Sequence, residues 1–107
     1  MTAPASDRPG VPADALLLDV RRDDEWIAGH APDATHIPLD QLPDRLGELP
    51  KDRPIWAVCH GGGRSARATA FLTAQGFDVT NYEGGMVAWA RAAGPLTSEN
   101  GATPDVD

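Results

Sequence analysis

The 107-residue chain holds a single cysteine, Cys59, and a single lysine, Lys51. One cysteine excludes an internal disulfide and a C-x-x-C redox pair. A zinc site needs three or four closely spaced ligands, and only His30, His36 and His60 are present, scattered and without a ligand pattern. No Gly-Lys-[Ser/Thr] ending of a phosphate-binding loop occurs, and no G-x-S-x-G elbow of a serine hydrolase. Positive charge is short: nine Lys and Arg stand against sixteen Asp and Glu, a formal net charge of −7. That balance argues against nucleic acid or an anionic membrane as partner. No apolar run is long enough to span a bilayer, and the first ten residues lack the apolar centre of a signal peptide. With a lone free thiol, these features lead us to expect a reducing, cytoplasmic setting. Neither a metal nor an organic cofactor is expected.

The length suits one small domain, and the 41% hydrophobic content is ordinary for a globular chain. Residues 1–13, with Pro4, Pro9, Gly10 and Pro12, read as a flexible lead-in, 14–94 as the domain, and 95–107 as a disordered tail rich in Gly, Pro and acid. Strands are expected over 16–20, 35–37, 55–59 and 77–82, and helices over 22–28, 40–46, 66–75 and 86–93. Gly47 and Gly76 would end the second and third helices. The alternation implies an α/β domain with a central parallel sheet flanked by helices. Ligands then bind beyond the carboxyl ends of strands, where Asp19, Arg21 and Cys59 fall.

The most informative stretch is Cys59-His60-Gly61-Gly62-Gly63-Arg64-Ser65. It follows the apolar run 55–58 and precedes a helix, so the sulfur sits where a buried strand ends and a helix begins. A helix start leaves N–H groups unpaired and partly positive, which favours an exposed thiolate, the nucleophilic form of cysteine. Gly61, Gly62 and Gly63 let the loop fold tightly and turn amides inward. Arg64 adds a full positive charge, or braces the loop. Ser65 caps the helix or points its hydroxyl toward sulfur. The plain alternative, a buried structural cysteine, leaves three consecutive glycines unexplained. His60 lies inside the loop and its role stays open: facing solvent it would meet the donor or a partner, and protonated it would strengthen the anion field.

This loop, C-x-x-G-x-R-S, resembles the active-site loop of the rhodanese (sulfurtransferase) family. Leu17-Leu18-Asp19-Val20-Arg21 resembles that family's strand ending in D-V-R. Glu25-Trp26, followed by Gly29-His30-Ala31-Pro32-Asp33-Ala34 and Ile37-Pro38-Leu39, resembles its E-F/W…G-H-I-P-G-A segment. Glu83-Gly84-Gly85-Met86-Val87-Ala88-Trp89 resembles its closing E-G-G-x-x-x-W motif. The matches keep the family's order over about residues 16 to 93. The resemblance implies a small rhodanese-like domain, with the strand usual before D-V-R missing or reduced to an edge segment by the prolines.

The resemblance also implies the chemistry: a persulfide on Cys59, loaded from a small sulfur donor such as thiosulfate. The acceptor would be cyanide, a thiol or a sulfur-relay protein. Residues 60–65 would cradle the persulfide. Asp19 and Arg21 would support the loop from behind, although Arg21 suits an anionic donor as well as a pairing with Asp19. His30 would hold the turn before Pro32, and His36 would lie at the surface. Two other readings stand beside this one: a non-catalytic rhodanese-like binding module, and a small cysteine phosphatase or arsenate reductase. Cysteine phosphatases carry C-x5-R, one residue longer than the C-x4-R found here. A lone cysteine also leaves no resolving partner on the chain.

Overall fold

The computed structural model describes residues 8–107. Four strands, β1 (Leu16–Asp19), β2 (Thr35–His36), β3 (Ile55–Val58) and β4 (Val79–Asn81), form one all-parallel sheet in the order β2-β1-β3-β4. Helix α1 (Asp23–Ala28) connects β1 to β2, α2 (Gly63–Ala74) connects β3 to β4, and α3 (Gly85–Arg91) follows β4. Among the described residues no strand precedes β1.

Side chains alternate across the pleat, so the sheet has two apolar faces. Leu18, Ile55 and Cys59 point to the layer of Ala68 and Leu72 from α2, with Leu42, Leu49 and Phe77. Leu17 and Val58 point to the layer of Met86 and Trp89 from α3, with Ala31, Tyr82 and Val106. From β1 the chain turns to β2 on one side, then returns to β3 on the other. The carboxyl ends of β1 and β3 therefore meet at the point where strand order reverses, with Asp19 paired to Val58, and an open parallel sheet forms its ligand crevice there.

Helix α2 ends as its sequence requires. Gly76, at φ +93°, follows the last turn, and the amides of Gly76 and Phe77 bond the carbonyls of Thr73 (3.0 Å) and Leu72 (3.1 Å), a glycine-terminated Schellman end. Lys51 donates to the Gln75 carbonyl at the same end, where a cation opposes the helix dipole.

Several expectations are corrected. The helix expected over 40–46 is a pair of 3-10 turns, Leu39–Asp44 and Leu46–Glu48, with Pro43 inside the first and Gly47 inside the second. Proline has no N–H to give to an α-helical ladder, so the tighter turn prevails. Helix α2 begins at Gly63 rather than 66, which brings Arg64 and Ser65 into its first turn.

The tail expected to be disordered over 95–107 lies against the body. His30 and Thr97 exchange backbone bonds of 2.9 Å, the Asp105 amide reaches the Ala28 carbonyl at 2.9 Å, and Trp89 Nε1 donates to the Pro95 carbonyl at 2.9 Å. Val106 is buried. Composition signalled mobility, but one valine and these backbone bonds supply what the tail needs to pack.

Within the lead-in expected to be flexible over 1–13, residues 8–13 are likewise held. Val11 is buried, Arg8 Nη2 donates to Ala15 O at 2.6 Å, and Tyr82 Oη donates to Pro9 O at 2.9 Å. Residues 1–7 of that lead-in lie outside the described part.

Candidate active site

Cys59 follows the last residue of β3, and its Sγ accepts the Gly62 amide at 3.1 Å. The loop can close this tightly because Gly62, the residue before α2, takes φ +112°, a region that side-chain-bearing residues rarely enter. The Ser65 hydroxyl oxygen lies 3.4 Å from the sulfur. Burial pushes the thiol's pKa up. The Ser65 hydroxyl and the amides of Ser65, Gly62 and Arg64 together outweigh it and hold the thiol below the ordinary range.

Cys59 is only 1% exposed, which corrects the expectation of an exposed sulfur. The glycines fold the loop over the atom, and the side chain faces the α2 layer. The sulfur is nevertheless in contact with donors, unlike an inert core cysteine.

A second glycine turn fixes the loop from below. Gly84 and Gly85 take φ +81° and +56° at the start of α3. The amide of Met86 then donates to the Cys59 carbonyl at 2.7 Å, and that of Val87 to the His60 carbonyl at 3.2 Å. A Cβ on Gly85 would stand 2.3 Å from the Cys59 carbonyl oxygen, so the E-G-G motif is the floor on which the loop rests. His60 is half-buried rather than fully in solvent. Gly61 and Gly63 have open space around them.

Arg64 does not point into the cradle as a free cation. Its Nη1 and Nη2 donate to the Glu25 carboxylate at 2.6 and 2.9 Å. The guanidinium holds the Glu25 carboxyl well below its usual range, at about 2. Glu25 also accepts the Arg22 amide at 3.1 Å, so one carboxylate ties the start of α1 to the start of α2. Arg64 still feels the charges of Cys59 and Asp19.

Asp19 and Arg21 form a buried pair: Nη2 to Oδ2 is 2.7 Å, with both side chains 1% exposed. Arg21 Nη2 also donates to the Gly29 carbonyl at 2.7 Å. The arginine's cation and fork are spent inside the fold, on Asp19 and the Gly29 carbonyl, with no bond to the 60–65 loop.

His30 Nδ1 lies 2.8 Å from the Ala31 carbonyl and Nε2 2.7 Å from Glu99 Oε2, with the ring stacked on Trp26 at 3.5 Å. His36, expected at the surface, is tucked in. Its Nε2 lies 2.8 Å from the Arg21 carbonyl and its ring stacks on Trp26 at 4.6 Å.

A cleft of about 560 Å³ adjoins the loop, lined by Val20, Leu39, Pro43, Arg64, Arg67 and Phe71 among others. It shares Arg64 with the site, but Cys59 does not line it. Among the described residues no group of three or more His, Cys, Asp or Glu is arranged to hold a metal ion, and no helix is long and apolar enough to cross a membrane.

Sequence reasoning missed two residues at this site, Glu25 and Asn81. Glu25 was legible only as part of a motif with no stated partner. Asn81 ends β4 and lies 16 residues beyond Ser65, yet its Oδ1 accepts the Ser65 hydroxyl, and no local spacing signals that contact.

Comparisons with known proteins find relatives of this chain. A family model described as "Rhodanese-like domain" matches residues 5–92. A sulfurtransferase of Allochromatium vinosum is 42% identical over 89 residues, covering 82% of this chain and 83% of that protein. A thiosulfate sulfurtransferase, GlpE, of Pseudomonas syringae is 37% identical, covering 70% and 72%. Among solved structures, a rhodanese-related protein of Thermoplasma volcanium matches with TM-score 0.75 and 31% identity, over 78% of this chain and 84% of that one. A rhodanese-like domain protein of Staphylococcus aureus matches with TM-score 0.70 and 36% identity, over 92% and 86%.

Proposed function

The chain belongs to the rhodanese-like domain family, and from that premise we propose that it is a sulfurtransferase working through a persulfide on Cys59. The Cys59 thiolate attacks the outer sulfur of thiosulfate. A new S–S bond forms, the donor's S–S bond breaks, and its electron pair leaves with sulfite. The product, Cys–S–S⁻, carries the negative charge the thiolate brought. Cyanide or a thiolate then attacks the outer sulfur, takes it away and returns the pair to Cys59. This is covalent catalysis in two half-reactions. A sulfur-relay protein could serve as the acceptor in the same way, in a reducing, cytoplasmic setting.

The observation that carries the reading is the Gly62 amide on the sulfur at 3.1 Å, at the positive end of a 12-residue helix. Amides arranged before the reaction stabilise negative sulfur without reorganising. The test is intact-protein mass spectrometry after treatment with thiosulfate. One added sulfur on the wild type and none on Cys59→Ser supports the proposal. A wild type left unloaded by thiosulfate, polysulfide and small persulfides alike overturns it.

The burial of Cys59 favours a second reading, a docking module without catalysis. In that case Cys59→Ala would bind its protein partner unchanged and the wild type would carry no persulfide.

A further inference from the structure

The Ser65 hydroxyl is buried and has one proton, yet three acceptors surround it: Cys59 Sγ at 3.4 Å, the Gly62 carbonyl at 3.2 Å and Asn81 Oδ1, the nearest. A serine donates to one of them at a time. The Asn81 carboxamide cannot simply turn over. Its Nδ2 faces the Gly62 carbonyl at 3.4 Å, and a turned amide would set oxygen against oxygen there. Oδ1 is thereby held toward Ser65. The same Gly62 gives its own N–H to the sulfur, so Asn81 touches two of the residues that donate to Cys59.

We infer that Asn81 is a positioning residue for the sulfur site. It accepts the Ser65 proton while the sulfur is neutral and yields it when the sulfur is ionised, and so sets how readily Cys59 ionises. An ionised acceptor draws a donor more strongly than a neutral amide oxygen, so the hydroxyl swings to the thiolate or persulfide anion. Asn81 is the competitor that must be beaten. Transfer of the sulfur to its acceptor regenerates the thiolate, and when that thiolate takes a proton from water the hydroxyl returns to the amide.

The consequence for turnover rests on the sulfurtransferase reading, whereas the ionisation of Cys59 does not, so the two fail separately. Other charges around the sulfur come from Arg64 of α2, held by Glu25 of α1, and from Asp19 of β1, held by Arg21. His60 adjoins in the loop and Glu83 precedes α3. Residues 79–81 of β4 carry no charge.

The experiment is the pH dependence of Cys59 alkylation by a small neutral reagent, with persulfide loading measured in parallel. Asn81→Leu removes the competing acceptor, and the midpoint should fall by about half a unit or more. In a Ser65→Ala background the same substitution should move nothing. Asn81→Asp keeps the size of the side chain, binds the hydroxyl harder and adds charge. It should raise the midpoint, and by more with Ser65 present than with alanine there. An unchanged midpoint in Asn81→Leu, or equal shifts with and without Ser65, overturns the proposal. Should Asn81→Leu not fold, Asn81→Asp decides it, equal shifts in both backgrounds counting against. Altered midpoints in a protein that never takes up sulfur would sustain this inference and sink the sulfurtransferase reading.

Discussion

Glu25 and Arg64, 39 residues apart, are joined by two hydrogen bonds of 2.6 and 2.9 Å that fasten the first turn of α1 to the first turn of α2. The arginine of the C-x-x-G-x-R-S loop thus spends its fork on a carboxylate from another element. Two partly buried side chains, 18% and 29% exposed, hold the loop's shoulder.

Glu25→Gln should therefore cost roughly 1 kcal/mol of stability, the upper range for partly exposed pairs, since the geometry is bidentate. The folded carboxyl titrates near 2 against an ordinary value of 4.5. A depressed folded pKa contributes stability that is fully present above the ordinary value and is lost as pH falls toward 2. Urea unfolding followed from pH 6 to pH 2 should show a decline over that window in the wild type and a shallower one in Glu25→Gln.

Ser65→Ala should raise the midpoint of the Cys59 alkylation profile, because the serine hydroxyl is a leading cause of the lowered thiol pKa. The wild-type midpoint should lie below that of a free cysteine peptide run alongside. As the residue is 1% exposed, a small reagent should react far faster than a bulky maleimide relative to the same peptide. Equal ratios for protein and peptide would contradict the closed loop.

Gly85→Ala should destabilise the fold by more than about 2 kcal/mol, combining a left-handed backbone position with a steric clash. The added Cβ would meet the Cys59 and His60 carbonyl oxygens at 2.3 and 2.5 Å. Chemical denaturation measures the cost. At a temperature where the variant remains folded, persulfide loading should still be strongly reduced, since the clash falls on the loop itself.

Arg21→Met leaves the Asp19 carboxylate buried without its partner and should cost about 3–5 kcal/mol. The double variant Asp19→Leu with Arg21→Met removes both charges and should recover most of that loss. Were Arg21 an anion receptor, the double variant would recover stability equally but show a raised KM for thiosulfate. The buried pairing of Arg21 with Asp19 leads us to expect KM close to wild type.

Removing residues 95–107 strips Trp89 Nε1, His30 Nε2 and the His30 backbone of their partners Pro95, Glu99 and Thr97, and exposes the site of Val106. We expect a loss of roughly 2–4 kcal/mol, seen as a lowered Tm in a thermal melt. Glu99→Gln tests the polar contact alone and should cost far less.

Local patterns along the chain were enough for the α/β alternation, the sulfur at a strand's carboxyl end, the glycine-built loop and the C-terminal stop of α2 at Gly76. All of these are local: hydrophobic periodicity, glycine's access to positive φ, and the unpaired amides of a helix start act between near neighbours. The proline in the 39–44 turn is local too: Leu39, Leu42 and Leu46 recur at helical spacing, and Pro43 overrides it.

The remaining contacts came from long-range packing. Glu25 claims Arg64, Asn81 reaches Ser65, Arg21 turns inward to Asp19, and the acidic tail packs where composition suggested disorder. The Glu25–Arg64, Asn81–Ser65 and tail contacts depend on which elements the parallel crossovers bring together, and such distant partners leave no spacing in the chain to read; Arg21 and Asp19 are only two residues apart, and the fold's burial of both decided between pairing and an anion. The same packing closed the loop over Cys59, because a strand's pleat, rather than residue type, sets which face the sulfur enters.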